Sequence, residues 1–233
     1  MTSLNDFPIT RQWPPRTPGA IQYYGRTTPN GVKISIALEE LGLPYDAHHI
    51  RFEENEQHSA PYMSLNPNAK IPAIIDPNGP DGEPLALFES GAILIYLAEK
   101  TGRLIPTGPQ GRYQTMQWLM FQMGGIGPMF GQVGFFLTGG GKTWNEPLAR
   151  ARYLTETARL LKVLDTRLAD RDWVMDDYSI ADIAIGPWVK WIVQNYNAGD
   201  LVGWADLHHV PAYLDRFLAR PAVQRGLAIP PRN

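Results

Sequence analysis

The 233-residue chain contains no cysteine at all. That absence excludes disulfide bonds, thiolate metal sites and a thiol nucleophile supplied by the protein. It also fits a reducing compartment, so the cytoplasm is the expected location. A strong charge of one sign is missing too, because the formal net charge is −2. The charge therefore gives no electrostatic reason to expect nucleic acid or an anionic membrane surface as a partner.

Long apolar runs are absent as well. No segment reaches the roughly 18 uninterrupted apolar residues of a membrane span, and the N-terminus lacks the basic start and apolar run of a signal peptide. Hydrophobic residues make up 44% of the chain and charged residues 19%, which is ordinary for a soluble globular protein. The length allows one large domain or two small ones.

The first hundred residues alternate strands and helices. Short runs of β-branched and aromatic residues predict strands, and amphipathic stretches closed by glycine predict helices. The first of these helices places Lys33, Glu39 and Glu40 toward solvent. The order βαβ, loop, ββα predicts a small mixed sheet with helices on its faces. The strands are expected at 21–25, 45–52, 71–76 and 85–88, and the helices at 31–42 and 89–102.

The chain changes character after a linker rich in proline and glycine at 104–111. Beyond it the pattern is helical, without a convincing strand. The proline-rich stretch over 1–20 predicts an extended arm laid on a surface, or a disordered segment. We therefore predict an α/β domain over 21–103 and an all-helical domain over 112–233. The helices of the second domain are expected at 112–136, 147–170, 180–197 and 211–220.

Three motifs favour structural roles. The stretch YSIADIA predicts a capping box in which Ser179 and Asp182 bond reciprocally at a helix start. The stretch TGGGKT resembles the end of a phosphate-binding loop, but Phe136 stands where that loop needs glycine and no strand precedes it. The five histidines lack the spacing of a helical metal site, so no metal is expected.

Two helix starts carry candidate binding groups. In TPNG, the Thr28 hydroxyl and the backbone N–H groups of Asn30 and Gly31 can cradle a thiolate, or they form an ordinary turn that leads into a helix. In FES, Glu89 can pair with an ammonium and Ser90 can bind a carboxylate, or the two residues simply cap the helix. Both pairs of interpretations remain open from the residues alone.

The stretch KIPAI has a proline at the start of a strand, where one N–H is lost from the ladder. If the Ile71–Pro72 bond is cis, the Ile71 backbone turns outward and presents its N–H and C=O to a ligand. A trans proline in an edge strand is the alternative, since cis bonds are a minority.

The order of TPNGxK, NxKIPAI, FESGAILxYLAEKTG and YSIADIA resembles the cytosolic glutathione transferase superfamily. Within it, the chain is similar to the bacterial Nu class and to relatives near the yeast nitrogen-regulator prion domain. The stretch WLMFQMGGIGPMFGQ is similar to a signature of the same branch. The likeness covers roughly residues 21–225. It implies a thioredoxin-like N-terminal domain with a cis-proline, followed by an all-helical C-terminal domain.

The resemblance also implies glutathione as co-substrate, with no metal. The Thr28 hydroxyl and the Asn30 backbone N–H would hold the glutathione sulfur. The backbone of Ile71, which precedes the proline at Pro72, would pair with the cysteinyl part of glutathione like a short piece of β-ladder.

The same resemblance assigns the two ends of glutathione. Glu89 and Ser90 would bind the γ-glutamyl end, and Lys70 and Gln57 would lie at the glycine carboxylate. A homodimer is implied as well. Arg152 matches a residue that reaches glutathione from the partner subunit, with Arg150 as the alternative.

The reactive thiol, which a chain without cysteine cannot supply, would then come from glutathione. The Nu branch is associated with glutathione-dependent reduction of small disulfides. Conjugation to electrophiles, peroxide reduction and thioether cleavage share the first half of that chemistry and stay open. A different class, a non-catalytic glutathione-binding regulatory protein, is less favoured because Thr28 offers the hydroxyl that thiolate activation needs. An isomerase or dehalogenase on the same fold is a third possibility.

Overall fold

The computed structural model describes residues 3–231 of the chain. The chain divides into two compact units. One consists of the chain up to Arg103 together with the segment that begins at Pro221, and the other is Leu104–Arg220. Residues 1 and 2 of the predicted arm, and residues 232 and 233 of the predicted helical domain, lie outside the described residues. From residue 3 to residue 231, no helix combines the length and the apolar character needed to cross a membrane.

The first unit is built on a mixed sheet of four strands. The strands are β1 Ile21–Gly25, β2 Tyr45–His49, β3 Ala73–Asp76 and β4 Leu85–Phe88. Their order in the sheet is β2-β1-β3-β4. β1 runs parallel to β2, whereas β3 is antiparallel to both β1 and β4. The predicted mixed sheet is confirmed, and β3 begins later than expected because Pro72 has no N–H to give to the ladder.

The N-terminal segment, predicted as an extended arm laid on a surface or as a disordered segment, is partly helical. It contains a 3₁₀ turn at Leu4–Asp6 and a short helix, α1, at Ile9–Gln12. Ile9 is fully buried in a cluster with Tyr24 and Tyr62, and neighbouring apolar side chains of the segment pack against the same cluster. Burial of these side chains draws residues 3–20 onto the sheet instead of leaving them extended.

Three further helices complete the part of this unit that precedes the linker. They are α2 Pro29–Leu41, α3 Ala60–Leu65 and α4 Ser90–Thr101. The α2 helix starts with Thr28 as its N-cap and proline as its first residue, a combination that suits a helix start. The α2 and α4 helices both end at a glycine in the left-handed region, Gly42 at φ 67° and Gly102 at φ 64°.

The second unit confirms the all-helical prediction. Its helices are α5 Pro109–Phe121, α6 Gly127–Leu137, α7 Pro147–Arg167, α8 Ile180–Lys190 and α9 Val210–Ala219. The single helix expected over 112–136 is two helices, because a π-helical turn at Gln122–Ile126 separates α5 from α6. Two adjacent glycines lie in this turn and a proline follows it, a composition that favours a break in regular helix.

The last helix, α10 at Pro221–Gly226, belongs to the first unit, whereas the sequence predicted helical-domain residues up to the end of the chain. It packs on α2. The Ser35 hydroxyl donates to the Gly226 carbonyl over 2.7 Å, and a Cβ at Gly226 would lie 2.6 Å from the Cα of Ile36. Such a close approach of two backbones requires glycine.

The predicted capping box opens α8. The fully buried Asp182 carboxylate accepts hydrogen bonds from the backbone N–H groups of Val174 at 2.8 Å and Ser179 at 2.9 Å. The Ser179 side chain accepts in return from the backbone of α8. Burial raises the pKa of Asp182 to about 6, although these hydrogen bonds oppose the rise.

We expect Asp182→Asn to lower the free energy of unfolding by ~1–3 kcal/mol, because a buried acceptor of backbone N–H groups loses its charge and one of its oxygens. Urea denaturation measures the change. Asp215→Asn is the matched control, since Asp215 is exposed on α9, and it should stay within about 0.5 kcal/mol of wild type. Equal stabilities for the two variants would contradict a structural role for the box.

Candidate functional site

Strand pairing brings the predicted binding segments of the first unit to one edge of the sheet. Tyr24 of β1 lies opposite Ala73 of β3, and Ala73 lies opposite Phe88 of β4. Because β3 runs against both neighbours, its first residue is adjacent to the last residues of β1 and β4. Gly25 lies opposite His49 in the parallel pair, so the loop after β2 begins at this edge as well. The topology therefore gathers the ends of three strands around the start of the fourth.

The turn after β1 is held in one shape by its own backbone. Thr28 Oγ1 accepts a hydrogen bond from the Gly31 N–H at 3.4 Å, which leaves the hydroxyl proton of Thr28 as a donor. The Arg26 carbonyl accepts from the Thr28 N–H at 2.8 Å. A Cβ at Gly31 would lie 1.9 Å from that same carbonyl oxygen, so only glycine fits this position. Asn30 lies in the first turn of α2, where backbone N–H groups point out of the helix end.

The two tyrosines that precede this turn are packing residues. Tyr23 and Tyr24 are fully buried. The Tyr23 hydroxyl donates to the Gly31 carbonyl over 2.9 Å, and burial raises its pKa well above the ordinary value. Tyr24 stacks on His48 with 4.7 Å between the ring centroids. Neither tyrosine hydroxyl is therefore exposed at the turn that carries Thr28.

The segment before β3 presents backbone to the same edge. The Ile71–Pro72 peptide bond is cis, and Ile71 is half-buried. The Lys70 carbonyl accepts from the Tyr62 hydroxyl at 2.8 Å and from the Asn66 side-chain amide at 2.6 Å. The Lys70 side chain is exposed. The segment is thus anchored on one side, with a cation directed to solvent next to a fixed strand start.

The loop after β2 carries Gln57 in a 3₁₀ turn. Gln57 Nε2 donates to Asn55 Oδ1 at 3.2 Å, while its Oε1 is buried with no hydrogen-bond partner among the described residues. The buried Glu56 fixes the loop by accepting from the Arg51 N–H at 2.7 Å. The Gln57 amide oxygen can therefore still accept a hydrogen bond.

Sequence reasoning missed an ion pair beside the turn. Arg26 donates from both Nη atoms to Glu53, at 2.9 Å and 2.5 Å, and its guanidinium lies over the Phe52 ring. The hydrogen bond from Arg26 holds the pKa of the exposed Glu53 carboxyl well below its usual range. The pair ties the loop after β2 to the turn after β1. Two residues separated so far along the chain carry no local signal of their contact.

The start of α4 carries the two residues predicted to form an anion site. Ser90 is buried at 3% exposure and is the first residue of the helix. Glu89 precedes it, exposed to solvent, with φ 71° and ψ 111°. A positive φ is uncommon for a residue other than glycine, and such outliers gather at functional sites. The N-terminal ends of α2 and α4 both lie at this edge of the sheet, where their dipoles favour negative charge.

Lys33 corrects the sequence analysis, which placed it toward solvent. Its side chain is fully buried, and Nζ lies 3.2 Å from Ser90 Oγ. Burial lowers the pKa of Lys33 to about 7, and the charge of Glu89 opposes that shift. A signal was available in the stretch VKISIAL, whose only polar residues are Lys33 and Ser35. A helix without a polar face is buried on all sides.

The predicted arginine lies in the second unit. Arg152 is exposed on α7, one turn before Glu156, whose pKa it helps to lower after the hydrogen bond from Arg159. Arg150 is engaged within its own unit, because its Nη2 donates to the Lys142 carbonyl over 2.6 Å. Of the two alternatives, Arg152 is the one whose side chain is exposed to solvent.

Together, the residues of the first unit suit an extended ligand with several kinds of groups. A hydroxyl donor and a helix N-terminus can hold an anion at Thr28. A strand start can pair with a peptide bond at Ile71. A second helix N-terminus and a carboxylate can bind an amino-acid end group at Glu89 and Ser90, with the buried Lys33 behind Ser90.

Comparison with known families identifies two matching domains. The model for the glutathione S-transferase N-terminal domain matches residues 19–99, and that for the glutathione S-transferase C-terminal domain matches residues 128–221. The chain is 43% identical over 213 residues to the disulfide-bond oxidoreductase YfcG of Escherichia coli, with 89% of this chain and 94% of YfcG covered. It is 38% identical to the disulfide-bond oxidoreductase YghU of the same organism, with 88% and 73% covered.

Solved structures are similar over most or all of the chain. A glutathione transferase from Pseudomonas putida, with one glutathione disulfide bound per subunit, has a TM-score of 0.97 at 58% identity and covers 98% of this chain and 100% of its own. One from Burkholderia graminis, with two glutathione molecules per subunit, has the same TM-score and identity and covers 100% and 98%. Ure2p in complex with glutathione has a TM-score of 0.76 at 30% identity, covering 89% and 98%. The chain belongs to the glutathione S-transferase family.

Proposed function

We propose that this protein is a homodimeric, Nu-class-like glutathione transferase that acts as a glutathione-dependent disulfide-bond oxidoreductase on small disulfides. The observation that carries the proposal is the Thr28 turn. It places a hydroxyl donor and a helix N-terminus at the sheet edge in a chain that has no cysteine of its own. The thiol must then come from glutathione, and the expected setting is a cytoplasm that keeps glutathione reduced.

Glutathione is assigned to the sheet edge by its functional groups. The Thr28 hydroxyl and the Asn30 N–H take the sulfur, and the Ile71 backbone beside Pro72 takes the cysteinyl peptide group. Glu89 pairs with the γ-glutamyl ammonium. Ser90 binds the carboxylate of the same end, while Lys70 and Gln57 lie at the glycine carboxylate.

The turn at Thr28 favours the thiolate form of glutathione. A free thiol has a pKa near 8.5, so only a few per cent is ionised at about pH 7. Lowering that pKa by about two units requires roughly 3 kcal/mol of preferential thiolate stabilisation. A hydroxyl hydrogen bond, a backbone N–H and a helix N-terminus together have that capacity.

The reaction needs two glutathione sulfurs and one substrate disulfide. The bound thiolate attacks one sulfur of the disulfide, a new S–S bond forms, the old one breaks, and the leaving thiolate takes up a proton. A second glutathione thiolate then attacks the mixed disulfide. The products are the two substrate thiols and one glutathione disulfide, so no protein thiol is oxidised or reduced.

The relatives support this choice over conjugation, peroxide reduction and thioether cleavage. YfcG and YghU are disulfide-bond oxidoreductases, and the Pseudomonas putida and Burkholderia graminis proteins hold a glutathione disulfide or two glutathiones per subunit. A site that accommodates two sulfur ligands together suits disulfide exchange. A purely regulatory glutathione binder is disfavoured by Thr28, because binding alone does not need a donor at the sulfur.

We expect Thr28→Ala to raise the apparent pKa of bound glutathione by about one unit, which corresponds to ~1.4 kcal/mol of lost thiolate preference. The affinity should stay within several-fold. Ultraviolet titration of the bound thiolate measures the pKa. Thr28→Ser is the control, since it keeps both the hydroxyl and the N-cap. An unchanged pKa together with unchanged turnover in Thr28→Ala would move the role to Asn30.

The γ-glutamyl pocket is tested by Ser90→Ala and Glu89→Gln. Each should weaken glutathione binding by ~1–3 kcal/mol, because a hydrogen-bond partner of a charged group is lost. Calorimetry gives the dissociation constants. Glu83→Gln, an exposed glutamate in the turn before β4, serves as the matched control and should bind like wild type. Unchanged constants for both pocket variants would remove this pocket from the proposal.

Arg152→Ala should weaken binding of oxidised glutathione more than that of reduced glutathione, because a cation from the partner subunit suits a second anionic ligand. Arg150→Ala is the comparison, and a selective loss there would transfer the role. Light scattering should give a dimer, and a glutathione mixed disulfide should be turned over faster than a chloroaromatic electrophile. A monomer, or conjugation with background disulfide turnover, would favour a conventional transferase.

A further inference from the structure

A buried cation lies directly behind the candidate γ-glutamyl pocket. Lys33 is on the second turn of α2, and α2 packs against α4. Its side chain is 0% exposed, yet Nζ reaches Ser90 Oγ at 3.2 Å across the two helices. Burying a lysine amine is unfavourable unless its charge meets a partner. The burial of Lys33 therefore needs an explanation, whereas an exposed lysine would need none.

We propose that Lys33 is a positioning residue that orients the Ser90 hydroxyl toward the α-carboxylate of a bound glutathione, and that binding of this carboxylate is coupled to protonation of Lys33. The inference rests on the proposed function, because it assumes that the γ-glutamyl end lies at Ser90. It adds a residue, Lys33, that contacts no substrate atom but sets the orientation of the Ser90 hydroxyl, which does contact the substrate.

The orientation follows from the hydrogen-bonding capacity of the two groups. A lysine ammonium has three donors and no acceptor, whereas a serine hydroxyl has one donor and two acceptor lone pairs. When Lys33 is charged, Ser90 Oγ must accept from it, and the hydroxyl proton turns toward another acceptor. A ligand carboxylate at the helix start is such an acceptor. When Lys33 is neutral, its amine has a lone pair that can accept the same proton instead.

The coupling follows from the charges around Lys33. Burial disfavours its charged form, and the pKa of about 7 puts the change of state in the neutral range. The charge of Glu89 opposes the lowering of the Lys33 pKa, but Glu89 is exposed to solvent, which weakens its effect. A ligand carboxylate on Ser90 brings a second negative charge close to Nζ. Binding should therefore raise the pKa of Lys33, and the complex should take up a proton.

Among the described residues, the titratable groups that β1 and α10 bring to α2 do not change charge near neutral pH. From β1, Tyr23 faces α2, but its hydroxyl donates to the Gly31 carbonyl and its pKa is raised far beyond neutral pH by burial. From α10, Arg225 donates to Glu39 at 2.5 Å, two turns beyond Lys33. Arg225 and Glu39 each keep one charge state near pH 7, because the arginine stays protonated and the pKa of the Glu39 carboxyl is lowered.

The sign of the pH dependence is fixed by this linkage. The protonated form of Lys33 favours binding, so the affinity should be highest below the pKa of the free protein. It should then fall as the pH rises through the neutral range, until it levels off above the pKa of the complex. An effect of protein packing alone would shift the affinity equally at every pH.

The probe is S-methylglutathione, which keeps the γ-glutamyl end but has no ionisable thiol. Calorimetric titration at pH 7.5 in phosphate and in Tris, at matched ionic strength, reports the protons taken up, because the two buffers differ in ionisation enthalpy. We expect wild type to take up a substantial fraction of a proton. Lys33→Met should abolish the uptake and weaken binding about tenfold, while Lys162→Met, the same change at an exposed lysine of α7, should match wild type.

Steady-state kinetics give a second readout. Lys33→Met should raise the KM for glutathione about tenfold with kcat within about twofold, since a ground-state contact is lost and the sulfur site is intact. Combined with Ser90→Ala, it should add little, because both variants remove the same contact. Full additivity of the two substitutions would overturn the proposed orientation of Ser90.

The outcomes separate the two proposals. If wild type binds neither S-methylglutathione nor reduced glutathione, the proposed function fails. If wild type binds and turns over glutathione without proton uptake, or if Lys33→Met keeps the uptake, the role of Lys33 is overturned while the function stands. Should Lys33→Met fail to fold, the proton uptake of wild type alone tests the coupling. Wild type should then take up no proton with S-methylcysteinylglycine, which lacks the γ-glutamyl end. Proton uptake with this ligand would refute the coupling.

Discussion

The antiparallel pairing of β3 with both of its neighbours gathers the candidate binding groups of this chain at one edge of the sheet. Because the first residue of β3 lies beside the last residues of β1 and β4, the turn at Thr28, the backbone at Ile71 and the helix start at Ser90 meet at one edge. A shift of the β3 register would separate these groups and would also turn its buried side chains to the wrong face. The location of the candidate site is thus set by the pairing of the strands rather than by any single side chain.

Several features of that edge were predictable from local sequence. Thr28 precedes a proline, an asparagine and a glycine, a pattern that marks a helix start, and the structure places the N-cap there. The order of strands and helices gave the mixed sheet, and the pair Ser179 and Asp182 marked the start of α8 correctly. Each of these signals spans only a few residues. Local chemistry is sufficient where the stabilising contact is local.

The features that sequence reasoning missed depend on contacts between distant residues. Lys33 is buried because α4 covers it, and a single-helix pattern assigned it to solvent. The N-terminal segment forms short helical elements where Ile9 packs against Tyr24 and Tyr62, whereas its proline content favoured an extended arm. The Arg26–Glu53 pair joins two loops 27 positions apart. In each case burial or pairing with a distant partner overrides the local preference.

The return of α10 to the first unit has a consequence for how the protein is made. The α2 helix, which carries Thr28 at its start, is covered on one side by Pro221–Gly226, and the whole second unit is encoded between them. During translation, the helix that begins at the Thr28 turn therefore cannot receive this cover until the ribosome has delivered the intervening helices. The first unit can therefore be completed only after the second unit has been synthesised, so the two units cannot be finished in their order along the chain.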